Sequence, residues 1–232
     1  LSEAEASEIV QKSQAPRFMA QEKETPAFKR WFGDSKVVDK NGSPLVVRHA
    51  TDEQFNTFDK SKRGDNTGFD NTKHGFFFIE SEQLAKNFAD ETSGGNIVMS
   101  VYLSIKNPID LRLTEILSNK EQAPSVVEIL GGKSGLSPED ALAHLDDTID
   151  LGTIEEMREA LNDEATTDRI KALGYDGIIS DFGDGNAEYI AFEPTQIKSA
   201  TENRGTFDPS NADIRFMAQE DTPEFKAWFK ES

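Results

Sequence analysis

Four residues of this chain have the types and settings that glycosidic chemistry uses. Glu188 opens the run Glu188–Phe192 (EYIAF), directly after a turn that bears Gly183 and Gly185. A carboxylate there is held by a rigid element at a sheet edge and stays reachable. Breaking a glycosidic bond builds an oxocarbenium-like cation, and a preorganised anion beside it stabilises that charge. His49 closes the run Pro44–His49 (PLVVRH), where an imidazole can hydrogen-bond and orient a sugar hydroxyl. Phe77 lies within Phe76–Phe78, and period-two alternation sends its ring to the face opposite its neighbours. One face packs the core; the other can offer a flat ring to a planar cation. Phe88, one helical turn beyond Leu84, can close the other side of such a ligand. Taken singly, each has an ordinary explanation: a solvated glutamate, a strand-end histidine, core phenylalanines.

Other constellations are weaker. His74 and His144 have no partner at metal-ligand spacing, and both read as surface residues, so no metal is implied. Asp181, Asp184 and Asn186 are spaced somewhat like a calcium loop, but the glycine placement and closing glutamate are wrong. There is no dinucleotide or triphosphate glycine loop. Lys60, Lys62, Arg63 and Lys73 form a local basic cluster with two readings, a contact to a phosphate-bearing ligand or solvated loop charge.

The elements that must position these residues are legible. Pro44–His49 follows an Asn41–Gly42 turn and reads as a strand; so does Gly75–Ile79 (GFFFI). The latter flows into a helix with Ser81 as cap and Leu84 and Phe88 at helical spacing. Asn96–Ile105 alternates and stops at Asn107–Pro108, and Gly177–Asp181 with Glu188–Phe192 flanks a glycine turn as a hairpin. Between lies an acidic segment, residues 113–173, with a helical pattern, read as a solvated insertion in preference to a substrate-recognition lobe. The fold class expected is α+β, a mainly antiparallel split sheet with flanking helices and that helical insertion.

Length and composition bound the rest. The chain has 232 residues, 36% hydrophobic and 29% charged, enough for one sizeable domain, and its apolar runs are too short to span a bilayer. With no cysteine, disulfides, thiolate nucleophiles and cysteine-based zinc sites are excluded. A net charge of −18 disfavours a nucleic-acid partner. The opening LSEAEASEIV lacks a secretory pattern and an initiator Met, and the sequence reads as a piece of a longer chain. An internal repeat agrees with this. Arg17–Glu22 and Arg215–Glu220 both read RFMAQE, followed by T-P-x-F-K-x-W-F at Thr25–Phe32 and Thr222–Phe229. Either the piece comes from a tandem array of similar modules, the favoured reading, or only the boundary segment is duplicated. The expected organisation is a tail at 1–24, one domain at 25–216, and the start of a repeated segment at 217–232.

Together, the order of a His-bearing strand, an aromatic strand with its helix, and a late Glu-bearing strand resembles the H-Y-E branch of ADP-ribosyltransferases. That branch includes diphtheria toxin and the poly(ADP-ribose) polymerases. Gly75–Phe88 (GFFFIESEQLAKNF) is similar to its G-I-Y-F strand and following helix, and Glu188–Ser199 (EYIAFEPTQIKS) to its E-Y-I-V-Y strand. The stretch TPAFKRWFGDSKVVDKNGSPLVVRHAT and the ending FDPSNADIRF resemble modules of this type in phage-encoded multidomain proteins. The resemblance implies NAD as substrate and no metal. It gives His49 the ribose, the backbone of Ala50, with Thr51 beside it, the carboxamide, and Phe77 and Phe88 the two faces of the nicotinamide, with Gly75 opening that strand. Glu188 would polarise the ribose and stabilise the transition state. Phe77 stands for the family's Tyr, Ala50 for its Gly, and Ala85 for a Ser common in the polymerases.

Three functions follow from the resemblance. The leading one is mono-ADP-ribosyl transfer to a host macromolecule, a protein in preference to nucleic acid, in the cytoplasm of a bacterial or other host cell. Delivery with a virion, and contact with adjacent modules of the same polyprotein, fit that picture. The alternatives are an NAD glycohydrolase and a non-catalytic binding module.

Overall fold

The computed structural model describes residues 23–64, 75–92, 97–131, 133–148, 164–183, 186–203 and 207–215. The repeated copies RFMAQE and the second T-P-x-F-K-x-W-F segment lie outside or at the margin of these residues. Seven strands form one sheet: β1 (Val47–Thr51), β2 (Phe76–Ile79), β3 (Ile97–Leu103), β4 (Pro108–Asp110), β5 (Gly177–Gly183), β6 (Asn186–Ala191) and β7 (Ile197–Ser199), in the order β4-β5-β6-β2-β1-β3-β7. Five of its pairings are antiparallel and one, β4 with β5, is parallel. Six helices are described: α1 (Pro26–Phe32), α2 (Glu82–Thr92), α3 (Leu113–Ile116), α4 (Ala123–Ile129), α5 (Pro138–Thr148) and α6 (Glu164–Ala172). The fold is α+β, as the sequence led one to expect.

Two strand limits differ from expectation. β1 starts later than Pro44 because proline has no N–H for a ladder; Pro44 meets Val38 only in an isolated bridge. His49 is therefore the third of five strand residues and not the last. Likewise β6 begins two residues before Glu188, which puts the carboxylate inside the ladder. The chain does not leave the sheet at Pro108 either: Pro108 is the first residue of the edge strand β4, where a missing N–H costs little.

That parallel edge strand explains the acidic segment. Parallel neighbours cannot be joined by a tight turn and need a crossover. Helices α3–α6 are the crossover from β4 to β5. They pack Ile116, Val126, Val127, Ile129, Leu145 and Ile170 against Ile109, Ile178, Ile190 and Phe192 of one sheet face. The expectation of a solvated insertion is corrected here: acidic side chains such as Glu121, Glu139, Asp140, Asp146 and Asp147 are exposed, while the described apolar side chains of the segment cover one face of the sheet. Phe77 packs at the margin of this cluster.

The opposite face carries Val47, Phe76, Phe78, Val101, Leu103, Ile179, Tyr189 and Ala191, covered by Val37, Phe58 and Ile214 from irregular segments. Lys198 of β7 is fully buried, and its ammonium donates to the carbonyls of Asn211 (2.5 Å) and Asp213 (3.1 Å), pinning that covering segment. Burial lowers its pKa, against the pull of Asp208 and Asp213. At the far end, α1 is capped by Thr25, whose hydroxyl accepts from the Phe28 amide, and has proline in its first turn. Its Phe28, Trp31 and Phe32 pack with Tyr102, Ala200 and Phe207.

Candidate active site

Cross-strand partners in register present their side chains on the same face. Arg48 of β1 pairs with Ile79 of β2, Ile79 with Glu188 of β6, and Glu188 with Ser180 of β5. Glu188 thus stands in a row across the centre of the sheet, on the face that Phe77 also occupies, two residues before Ile79 along β2. Ser180, 4% exposed, donates its hydroxyl to Oε2 of Glu188 over 3.1 Å. The next residue, Tyr189, faces the other way into the core, and burial followed by the charge of Glu80 raises its pKa.

Beyond this row the sheet divides. β1 and β2 share only the Arg48↔Ile79 pair, so they part toward Ala50, Thr51, Phe77 and Gly75. The His49 imidazole takes the place of the missing ladder. Its Nδ1 lies 2.9 Å from the carbonyl oxygen of Phe77. A carbonyl can only accept, so Nδ1 carries the proton and Nε2 is the acceptor of the neutral ring. The ring packs against Phe58 and Phe78, at centroid distances of 5.0 and 5.5 Å. Burial holds its pKa below the ordinary imidazole value, and the bond to Phe77 offsets this only in part. By strand alternation His49 leaves β1 on the face opposite Glu188.

The remaining sequence candidates are distributed around that parting. Ala50 is half-buried on the Glu188 face and pairs with Val98. Thr51 is 2% exposed and its hydroxyl closes a small turn with Glu53, donating to the Glu53 carbonyl and accepting from its amide. Gly75 has a packing reason of its own: a Cβ there would lie 2.4 Å from Ile190 and 2.8 Å from the Ala191 carbonyl oxygen. Helix α2 packs across β1, β2 and β3. Ser81 caps it by accepting from the Leu84 amide. Ala85 and Ala89, each 1% exposed, allow the close approach, whereas Phe88 is 37% exposed, one of two large hydrophobic side chains so exposed among the described residues.

The basic cluster is largely engaged within the protein. Lys60 pairs with Glu193 and Lys62 with Glu53, while Arg63 lies over the Phe76 ring and donates to the Lys60 carbonyl. Lys73, His74, Asp184 and Gly185 lie outside the described residues; His144 is exposed on α5. Among the described residues no three His, Asp or Glu side chains cluster so as to hold a metal, and no helix is long and apolar enough to cross a membrane. Ser180 and Arg48 were not singled out from the sequence. Counting outward from the glycine turn points to Asp181 as the partner of Glu188; the register shift between Asp181 and Gly183 puts Ser180 there instead.

These features describe an α+β domain with a divided sheet and a carboxylate on a central strand beside the division. The family of ADP-ribosyltransferases in polyvalent proteins matches residues 39–207, and the chain belongs to that family. The family's reaction is ADP-ribosyl transfer with NAD as donor substrate. No curated protein matches the chain. Among solved structures, a crystal structure of an anti-CRISPR protein aligns with 66% of this chain and 91% of its own, at 14% identity and a TM-score of 0.35.

Proposed function

We propose that this domain is a mono-ADP-ribosyltransferase that cleaves NAD at the nicotinamide–ribose bond and passes ADP-ribose to a host protein. The observation that carries the reading is Glu188, fixed in a ladder paired on both sides and facing the Phe77 side of the sheet where β1 and β2 part. The nicotinamide would lie between the rings of Phe77 and the exposed Phe88, with its carboxamide on the backbone of Ala50. Glu188 would accept from a ribose hydroxyl. As the bond to the ring nitrogen breaks, its electron pair neutralises the pyridinium, and the carboxylate stabilises the positive charge left on the ribose. The acceptor's lone pair then attacks the anomeric carbon, and its proton goes to solvent or a nearby base. Neutral His49, with Nε2 as acceptor, would orient the ribose without adding positive charge beside the cation.

The test is incubation with NAD labelled on its adenylate side in a bacterial lysate, with Glu188→Gln in parallel. Transfer of label to protein by the wild type alone is the expected outcome. Nicotinamide release without transfer would make the domain a glycohydrolase, and neither activity would make it a binding module.

A further inference from the structure

We infer that Ser180 is a positioning residue for the carboxylate of Glu188, an assignment that rests on the reading of Glu188 as the charge-stabilising group. The observation is independent of any ligand. Ser180 is buried at 4% exposure on β5, in register with Glu188, and its hydroxyl donates to Oε2 at 3.1 Å. Its neighbour on the same face, two residues earlier, is Ile178, which packs with Ile190 in the core beneath the crossover helices. A side chain continuing that row for packing alone would be apolar, because a buried hydroxyl is costly unless bonded. The hydroxyl marks where the apolar face ends and the site begins.

The place along the hairpin has the same logic. The β5–β6 register is regular from Gly177↔Ala191 through Asp181↔Ala187 and shifts only between Asp181 and Gly183. Ser180↔Glu188 is thus set just inside the irregularity, where both backbones are still fixed by the ladder. A donor held there fixes the carboxylate's rotation and favours its ionised form, because a hydrogen bond to the charged form stabilises it. Glu188 then meets the substrate already oriented and charged, so reorganisation is avoided when the cation forms.

The purified 232-residue chain is assayed for nicotinamide release as Ser180→Ala, Ser180→Thr and Glu188→Gln, each with its thermal midpoint. The expected result for Ser180→Ala is a kcat lower by about 10- to 100-fold with KM for NAD and thermal midpoint little changed. Its acid limb should move to higher pH, since the ionised carboxylate loses a donor, and Ser180→Thr should restore both. A carboxyl-carbon NMR titration, with the Glu188 signal assigned by its loss in Glu188→Gln, should show the midpoint rising in Ser180→Ala. An unchanged midpoint overturns the role of Ser180 whether or not the protein turns over NAD. If Glu188→Gln is inactive while Ser180→Ala matches wild type in rate and pH profile, Ser180 alone is misassigned. Wild-type turnover by Glu188→Gln would overturn the functional reading and the inference with it.

Discussion

The two β–β junctions flanking the centre of the sheet are built in opposite ways. β5 and β6 register at six positions, from Gly177↔Ala191 to Gly183↔Asn186, whereas β1 and β2 register at one, Arg48↔Ile79. The first junction holds Glu188 with Ser180; the second is bridged by a side chain, His49, bonded to the Phe77 carbonyl. A charge that must meet a developing cation needs a fixed backbone, and a ligand needs a place where strands part. In the proposed reading one sheet would supply both, because its ladder fails on only one side of β2.

The largest effect is expected on the rigid side. Glu188→Gln should lower the rate of nicotinamide release by about 10²–10³-fold, the usual cost of one preorganised charge-stabilising group, without lowering the thermal midpoint. Steady-state kinetics beside a melting curve separates the two. An equal loss of stability would mean that the carboxylate serves the fold and not the site.

Next comes the support beneath that side. Ile170 of α6 is fully buried in the cluster that holds Ile178 and Ile190. Truncating it to Ala should cost about 2–5 kcal/mol in denaturant unfolding, since it removes packing and leaves a cavity. A cost below about 0.5 kcal/mol would return the crossover helices to the status of a solvated appendage.

The open side should respond more modestly. Replacing His49 by Ala removes the bond that spans β1 and β2 and strands the Phe77 carbonyl, at about 1–3 kcal/mol. KM for NAD should rise more than kcat falls. The pH dependence has a definite sign. His49 has its pKa lowered in the folded protein by burial, so the unfolded chain binds the proton more readily. Its contribution is fully present above the unfolded value of about 6.5 and is lost as pH falls from there through the folded pKa. His49→Gln should flatten the stability profile below about pH 6.5 in urea titrations; an unchanged slope there would assign the dependence to other groups. Phe88→Ala should matter least for the fold, within about 0.5 kcal/mol, because its ring is 37% exposed. Its effect should appear as weaker NAD binding in calorimetry.

Much of the sheet was legible from local pattern. GFFFI, the Ser81-capped helix and the glycine-turn hairpin are elements whose turn chemistry and alternation agree, and they form within a residue or two of expectation. The largest misreading comes from long-range pairing. Nothing near Pro108 shows that three residues will lie parallel to a strand some 70 positions later, so the helices between appeared as an insertion. The candidate site was legible as residue types and not as relations. Alternation put Phe77 on its own face, but that His49 would leave on the other face depended on the β1–β2 register. Ser180 was hidden by a local irregularity, the register shift between Asp181 and Gly183 that sets it and not Asp181 opposite Glu188.

In the proposed reading NAD would enter where β1 and β2 part. Backbone hydrogen exchange on Glu188→Gln, with and without saturating NAD, tests it most directly because that variant should bind the dinucleotide without consuming it. The account predicts new protection at residues 49–51, 76–79 and along α2, with β5–β6 already protected and unchanged. Exchange that NAD leaves unaltered in those segments, or protects only around α1, would contradict it.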